Sequence, residues 1–207
     1  MKTVFFSLIV FLLSIKAFAQ YNYRDSNRIG IIGGVNQMSL YTSAFDAKPG
    51  MGWNAGLSVR GNYYDNWDMV YAVQFSEVNF DLATYNSLLQ PKDVNYKFGM
   101  VQISLQISKK IFDENLTLEF GPILQVNGKM EIDRSDKLNT IKGTTLKADE
   151  ITEITNYNIY PTAGITFGVT HFRANISYQY GLINMFSRLD GVKGNMGILN
   201  GNVIIYL

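Results

Sequence analysis

From residue 28 onward, apolar and polar residues alternate with a period of two. Residues 53–63 show it most cleanly. Trp53, Ala55, Leu57, Val59, Gly61 and Tyr63 share one parity, while Asn54, Gly56, Ser58, Arg60 and Asn62 share the other. A β-strand sends successive side chains to opposite faces, so such a segment has one apolar and one polar side. Met69, Tyr71, Val73 and Phe75 oppose Ala72, Gln74 and Ser76 in the same way, as Val101, Ile103, Leu105 and Ile107 oppose Gln102, Ser104, Gln106 and Ser108. Further runs begin at Leu116, Ile159, Phe172 and Leu199. A glycine-rich strand from Arg28 to Leu40, with Gly30, Gly33 and Gly34, brings the number to eight. The Gly99-Met100 step breaks the alternation and predicts a bulge. Pro122 and Pro161 lack an N–H and predict a bulge or irregular pairing where they fall.

The connections alternate in length. Short turns are expected at Asp65-Asn66-Trp67, at 112–115 and at Thr170-His171, and long loops at 41–51, 81–93, 129–153 and 187–196. Short turns at one end and long loops at the other is the layout of an outer-membrane barrel. The predicted fold is all-β: an eight-stranded antiparallel up-and-down transmembrane β-barrel over residues 28–207. Residues 130–132 and 151–154 are expected to extend the flanking strands as a hairpin above the membrane.

Period alone does not say which face is inside. A soluble, lipocalin-like ligand-binding barrel would put the apolar face inward. Side-chain volume argues against this, because eight strands enclose a lumen that side chains just fill. The polar face is mostly Gly, Ser, Thr, Asn and Gln and fits such a space, whereas Trp53, Tyr63, Tyr71, Phe75, Phe120, Phe167, Phe172, Tyr178 and Tyr180 would overfill it. Aromatics near strand ends also suit interfacial girdles. Of the charges on the inward parity, Arg60, Glu119 and Arg173 each lie a few residues from a short turn. A buried ion needs a partner, so Glu119 is expected beside the two arginines, closing that end as a structural cluster.

The first residues read differently. Lys2 precedes an apolar stretch from Val4 to Ile15, and Ala17-Phe18-Ala19 offers small residues for cleavage before Gln20. This predicts a secretory signal peptide over residues 1–19, removed after Ala19, with a short periplasmic segment at 20–27 and the barrel in the cell outer membrane. Leaving out Lys2 and Lys16, 16 Lys and Arg face 17 Asp and Glu, a balance that excludes an electrostatic nucleic-acid binder. The chain contains no cysteine and therefore no disulfide framework.

Several short patterns carry a resemblance. Ile31-Ile32-Gly33-Gly34-Val35-Asn36, Trp53-Asn54-Ala55-Gly56-Leu57 and Leu118-Glu119-Phe120-Gly121-Pro122 resemble strands one, two and five of the PorT-like outer-membrane β-barrel domain family, over residues 26–207. The resemblance implies a small eight-stranded outer-membrane barrel.

Candidate chemistry is sparse. The chain has one histidine, His171, at an expected short turn, so the general base of an outer-membrane hydrolase is missing from the loop end and no catalytic residues are assigned. One histidine and no cysteine exclude a Cys/His zinc site, and no calcium-loop spacing appears; no cofactor is expected. The long loop is rich in charges of both signs: Lys129, Glu131, Asp133, Arg134, Asp136, Lys137, Lys142, Lys147, Asp149 and Glu150. It is the candidate surface for a protein partner, since binding residues concentrate on loops held by rigid scaffolds. The expected role is that of a non-enzymatic barrel in contact with outer-membrane lipid, structural or loop-binding. The alternative is an accessory subunit of a secretion or uptake complex.

Overall fold

A computed structural model describes residues 27–189 and 191–207; the expected signal peptide lies outside them. The strands are β1 (Arg28–Thr42), β2 (Ala47–Tyr64), β3 (Trp67–Tyr85), β4 (Pro91–Phe112), β5 (Leu116–Asn127), β6 (Thr140–Ile141), β7 (Tyr157–Gly168), β8 (Phe172–Tyr180) and β9 (Gly194–Tyr206). Eight of them form a ring of antiparallel neighbours closed by β1 pairing with both β2 and β9, and the two-residue β6 adds to β3 at Thr84–Tyr85. Closure leaves no open edge in the ring, which is what a sheet needs in lipid, where water cannot satisfy free backbone groups.

The register fixes the geometry. Starting at Asn62, the paired residues run through Asp68, Ser108, Glu119, Gly164, Ser177, Asn200 and Asn36, and return to β2 at Gly52, a stagger of ten residues. For eight strands this stagger tilts the chain by about 40° from the barrel axis. The lumen is correspondingly narrow, and side chains fill it.

Burial decides the orientation of the faces. Leu57, Ile103 and Ile165 stand 58%, 55% and 47% exposed on the outer wall, while Asn54, Ser58, Gln102, Ser104, Thr162 and Asn175 are buried inside. On β4 the outward face from Val101 to Ile111 is apolar except for Lys109 and spans about 25 Å along the axis at that tilt, the height of a membrane belt.

Beyond the belt the polarity inverts without any change of parity. On β3 the outward residues pass from Tyr71, Val73 and Phe75 to Glu77, Asn79 and Asp81, and the inward ones from Ala72, Gln74 and Ser76 to Val78, Phe80 and Leu82, the last three fully buried. On β4, Asp93, Asn95 and Lys97 face out while Val94, Tyr96, Phe98 and Met100 are buried. This inversion explains three departures from the sequence reading. The register of β3 with β4 is unbroken from Trp67↔Lys109 to Tyr85↔Pro91, so Gly99-Met100 is no bulge; the inside turns from polar to apolar there. The expected loop at 81–93 is a continued hairpin with its turn at 86–90, and the loop at 41–51 shrinks because β2 starts at Ala47. Strands in water around an apolar core carry the opposite pattern from strands in lipid around a polar one.

The prolines oppose each other directly, Pro122↔Pro161, in an unbroken β5–β7 register, so neither forms a bulge. They interrupt pairing on their other sides instead. The β4–β5 ladder skips Leu105 and Gln106, and β7–β8 pairing stops at Thr162↔Gln179. Beside Pro122 the two backbones crowd together: a Cβ on Gly121 would sit 2.1 Å from the Leu105 carbonyl oxygen, so only glycine fits there. His171 is an exposed turn residue whose carbonyl accepts the Tyr206 N–H at 2.8 Å.

Candidate functional site

Two regions hold the candidate residues: the lumen at the short-turn end and the loop that crosses the opposite mouth. At the short-turn end, Arg60 from β2 is buried among partners on the next three strands. Its Nη1 donates to Asp68 Oδ2 at 3.0 Å and to Ser108 Oγ at 2.9 Å, and its Nη2 donates to Glu119 Oε1. Glu119 also accepts from Asn175 Nδ2 at 3.3 Å and from Thr117 Oγ1 at 3.4 Å. Asp68 holds a second cation, Lys110 Nζ, at 3.2 Å. Each buried carboxylate therefore has both charge and hydrogen-bond partners, as burial of an ion requires.

Arg173 is fully buried on β8, and its nearest carboxylate is Glu114, whose Oε2 lies 3.7 Å from Nη2. Glu114 sits in the β4–β5 turn and also takes Arg28, at 2.9 Å and 3.4 Å. Glu119 was expected beside both arginines; it bonds Arg60, whereas Arg173 has Glu114 as its carboxylate, and the structure adds Asp68, Lys110, Glu114 and Arg28 to the network. Asp68 and Lys110 were readable from parity, since each adjoins a residue of known outward face. Glu114 and Arg28 were not, because a turn and a strand end have no alternation to read.

Glu114 is the accessible member of this network. Hydrogen bonding from Arg28 holds its carboxyl below the usual carboxylate range, against partial burial and with help from the charges of Arg28, Lys110 and Arg173. A carboxyl whose folded pKa is depressed stabilises the fold above its unfolded pKa, and that contribution fades as the pH falls below about 4.5. Glu114→Gln should therefore flatten the loss of stability seen between about pH 5 and about pH 3 in urea titrations. Solvent screening limits the difference to less than about 1 kcal/mol.

Above the cluster, amides bridge the lumen. Gln102 Nε2 donates to Gln125 Oε1 at 2.8 Å and Gln179 Oε1 at 2.9 Å, and Gln125 Nε2 donates to the Tyr160 hydroxyl at 3.1 Å. A cavity of about 30 Å³ lined by Ser58, Gln74, Gln106, Glu119 and Asn202 lies at mid-height. That is room for about one water molecule.

At the far mouth, residues 128–156 do not extend β5 and β7 as a hairpin. They fold across the opening as a lid. Met130, Ile141, Ala148, Ile151 and Ile154 are buried in one cluster with Phe80, Leu82, Tyr96 and Phe98 and with Met185 and Phe186 of the last loop. The apolar residues of this loop belong to a core that the barrel ends provide, so burial outweighs strand extension. Backbone contacts fix the lid: Glu131 and Lys97 exchange both hydrogen bonds, and Tyr96 Oη donates to Ala148 O at 3.0 Å. Thr155 N–H donates to Met185 O at 2.8 Å.

The ten candidate loop residues divide. Lys129, Glu131, Asp133, Arg134, Lys137, Lys142, Lys147, Asp149 and Glu150 are exposed on the lid's outer face. Asp136 is buried under it, accepting from Lys92 Nζ and from Asn139 Nδ2, so it anchors the lid and offers nothing to a partner. Lys137 pairs with Asp149 at 3.1 Å.

An apolar belt around a filled, ion-paired lumen defines the class: an eight-stranded transmembrane β-barrel, closed at one end by charges and at the other by a folded lid. Among solved structures, the fold is similar to that of Neisserial surface protein A, at TM-score 0.54 and 13% identity over 86% of this chain and 96% of that protein. Ail, the attachment invasion locus protein of Yersinia pestis, solved in complex with the heparin analogue sucrose octasulfate, aligns at TM-score 0.48 and 17% identity, over 87% of this chain and 100% of that one. No family model and no curated protein matches the chain.

Proposed function

We propose that this chain is a non-enzymatic outer-membrane barrel that acts through its lidded end, holding a protein partner on the charged outer face of residues 128–156. The observation that carries this reading is the polarity inversion. The same closed ring is apolar outside over the belt and polar outside above it, so it is suited to stand partly in lipid and partly in water. A lumen crossed by buried amides and ion pairs argues against a pore and against a lipocalin-like ligand cavity. The resemblance to PorT-like barrels fits this reading, as does a signal peptide over residues 1–19 with cleavage after Ala19, a periplasmic segment at 20–27 and residues 28–207 as the barrel. Arg60, Glu119 and Arg173 would then be structural, sealing the periplasmic end.

The native chain has no cysteine, so single cysteines report its orientation. Arg134→Cys on the lid should react with a membrane-impermeant maleimide on intact cells, and Asp113→Cys in a short turn only after permeabilisation. The protein should fractionate with the outer membrane as a band whose gel mobility changes on boiling. The reverse labelling pattern, or a soluble periplasmic protein, would overturn the proposal. A stoichiometric partner recovered from native membranes would favour the accessory-subunit form of this role.

A further inference from the structure

At the short-turn end, the outer wall carries a cleft of about 650 Å³ formed by Tyr63, Tyr64, Trp67, Ile107 and Phe120. This volume is in the range of small-molecule sites. It is built by a bulge: the β2–β3 register shifts between Asn62 and Tyr64, so two successive tyrosines are exposed, at 62% and 64%. The opposite wall is Trp67 set edge-on to Phe120, ring centres 6.2 Å apart.

Lys109 stands over this wall, its Nζ 4.6 Å from the centre of the Trp67 ring. Every other cation resolved at this end is engaged: Arg28, Arg60, Lys110 and Arg173 each have a carboxylate within 4.0 Å. Lys109 shares the outward parity of Ile107 and makes no ion pair among the described residues. The long-loop end of the belt shows the contrasting arrangement. There Trp53 Nε1 and Lys97 Nζ both meet Glu77, at 3.2 Å each, so that tryptophan–lysine pair is neutralised.

We propose that this cleft binds one anionic glycerophospholipid, its phosphate on Lys109 and an acyl chain laid between the tyrosines and the Trp67–Phe120 wall. Aromatic belts lie at headgroup depth, where the phosphates are. The indole face orients the ammonium without neutralising it, and the N–H donors turned away from the ring can meet an anion. The apolar walls open sideways to the hydrocarbon, so a chain enters without leaving the bilayer. Charge complementarity selects the occupant: one uncompensated cation at the rim calls for a lipid of net negative charge, whereas a zwitterionic lipid already carries its own cation beside the phosphate.

This inference rests on the membrane reading, and the test separates the two. The refolded mature barrel is first checked for the gel shift on boiling; its absence would count against the membrane reading itself. Shifted protein is then incubated in detergent with equimolar phosphatidylglycerol and phosphatidylcholine and weighed by native mass spectrometry. One retained phosphatidylglycerol is expected. Lys109→Gln should lower that retention about fivefold, Lys109→Arg should preserve it, and Lys97→Gln should leave it unchanged. Equal retention by Lys109→Gln, an equal loss in Lys97→Gln, or full displacement by glycerol phosphate alone would each overturn the phospholipid site.

Discussion

Glu119→Ala should unfold in urea at a markedly lower concentration than the parent barrel in the same detergent, a loss of about 3–5 kcal/mol. The size follows from what stays behind. Glu119 and Arg60 are 4% and 3% exposed, and the guanidinium cannot reach water when its carboxylate is removed. Asp68 remains on Nη1 at 3.0 Å, but it already carries Lys110 at 3.2 Å and becomes the single carboxylate left to Arg60. Thr117 and Ser108 lose an acceptor as well, and Asn175 Nδ2 keeps only Thr166. The double variant Arg60→Met with Glu119→Leu should recover much of the loss, because removing both charges avoids the cost of one unpaired ion. It returns Asp68 to Lys110 alone. A Glu119→Ala barrel with unchanged urea and heat resistance would sink the idea that this cluster holds the short-turn end shut.

That cluster was partly legible in the sequence, and the reason is parity. A strand of known outward face assigns its neighbours inward, so parity puts Arg60, Glu119 and Arg173 on the inner face, but it does not pair them: Glu119 meets Arg60, and the carboxylate within 4.0 Å of Arg173 is that of Glu114. Asp68 obeys the same rule, since it adjoins the outward Met69 at the start of β3. Arg28 and Glu114 lie where alternation ends, and only the register across the ring brings them onto Lys110 and Arg173. The upper third of the barrel was misread for a different reason. Val78, Phe80 and Leu82 alternate with Asn79 and Asp81 as regularly as the membrane strands do, but with the apolar parity reversed. A period-two pattern does not reveal the solvent. The reversal at Ser76 therefore looked like a strand ending when it was a strand leaving the membrane. The lid was invisible for a third reason: its buried residues are spaced irregularly over 130–154, and only the apolar barrel mouth gives them something to cover.

Two cores thus share one ring, and they should be separable. Ile151 is fully buried in the lid cluster, far from the charge network. Ile151→Asp places a carboxylate among apolar side chains with no cation assigned to it, which should cost the lid's docking about 3 kcal/mol or more. The belt strands depend on the ladder hydrogen bonds, the polar lumen and the surrounding lipid, none of which Ile151 touches. Trypsin should then cut the variant at Lys137, Lys142 and Lys147, all exposed on the lid, while the protected remainder keeps its gel shift on boiling. Ile151→Val, which keeps the apolar contact, should stay resistant. If Ile151→Asp instead unfolded the whole barrel, lid and belt would form a single cooperative unit. If it stayed uncut, the apolar cluster would not be what holds the lid. Separation has a functional corollary: a partner that reads the lid's outer face should lose affinity for Ile151→Asp without any contact to residue 151, because the nine exposed candidate residues keep their spacing only while Met130, Ile141, Ala148 and Ile154 stay docked beneath them.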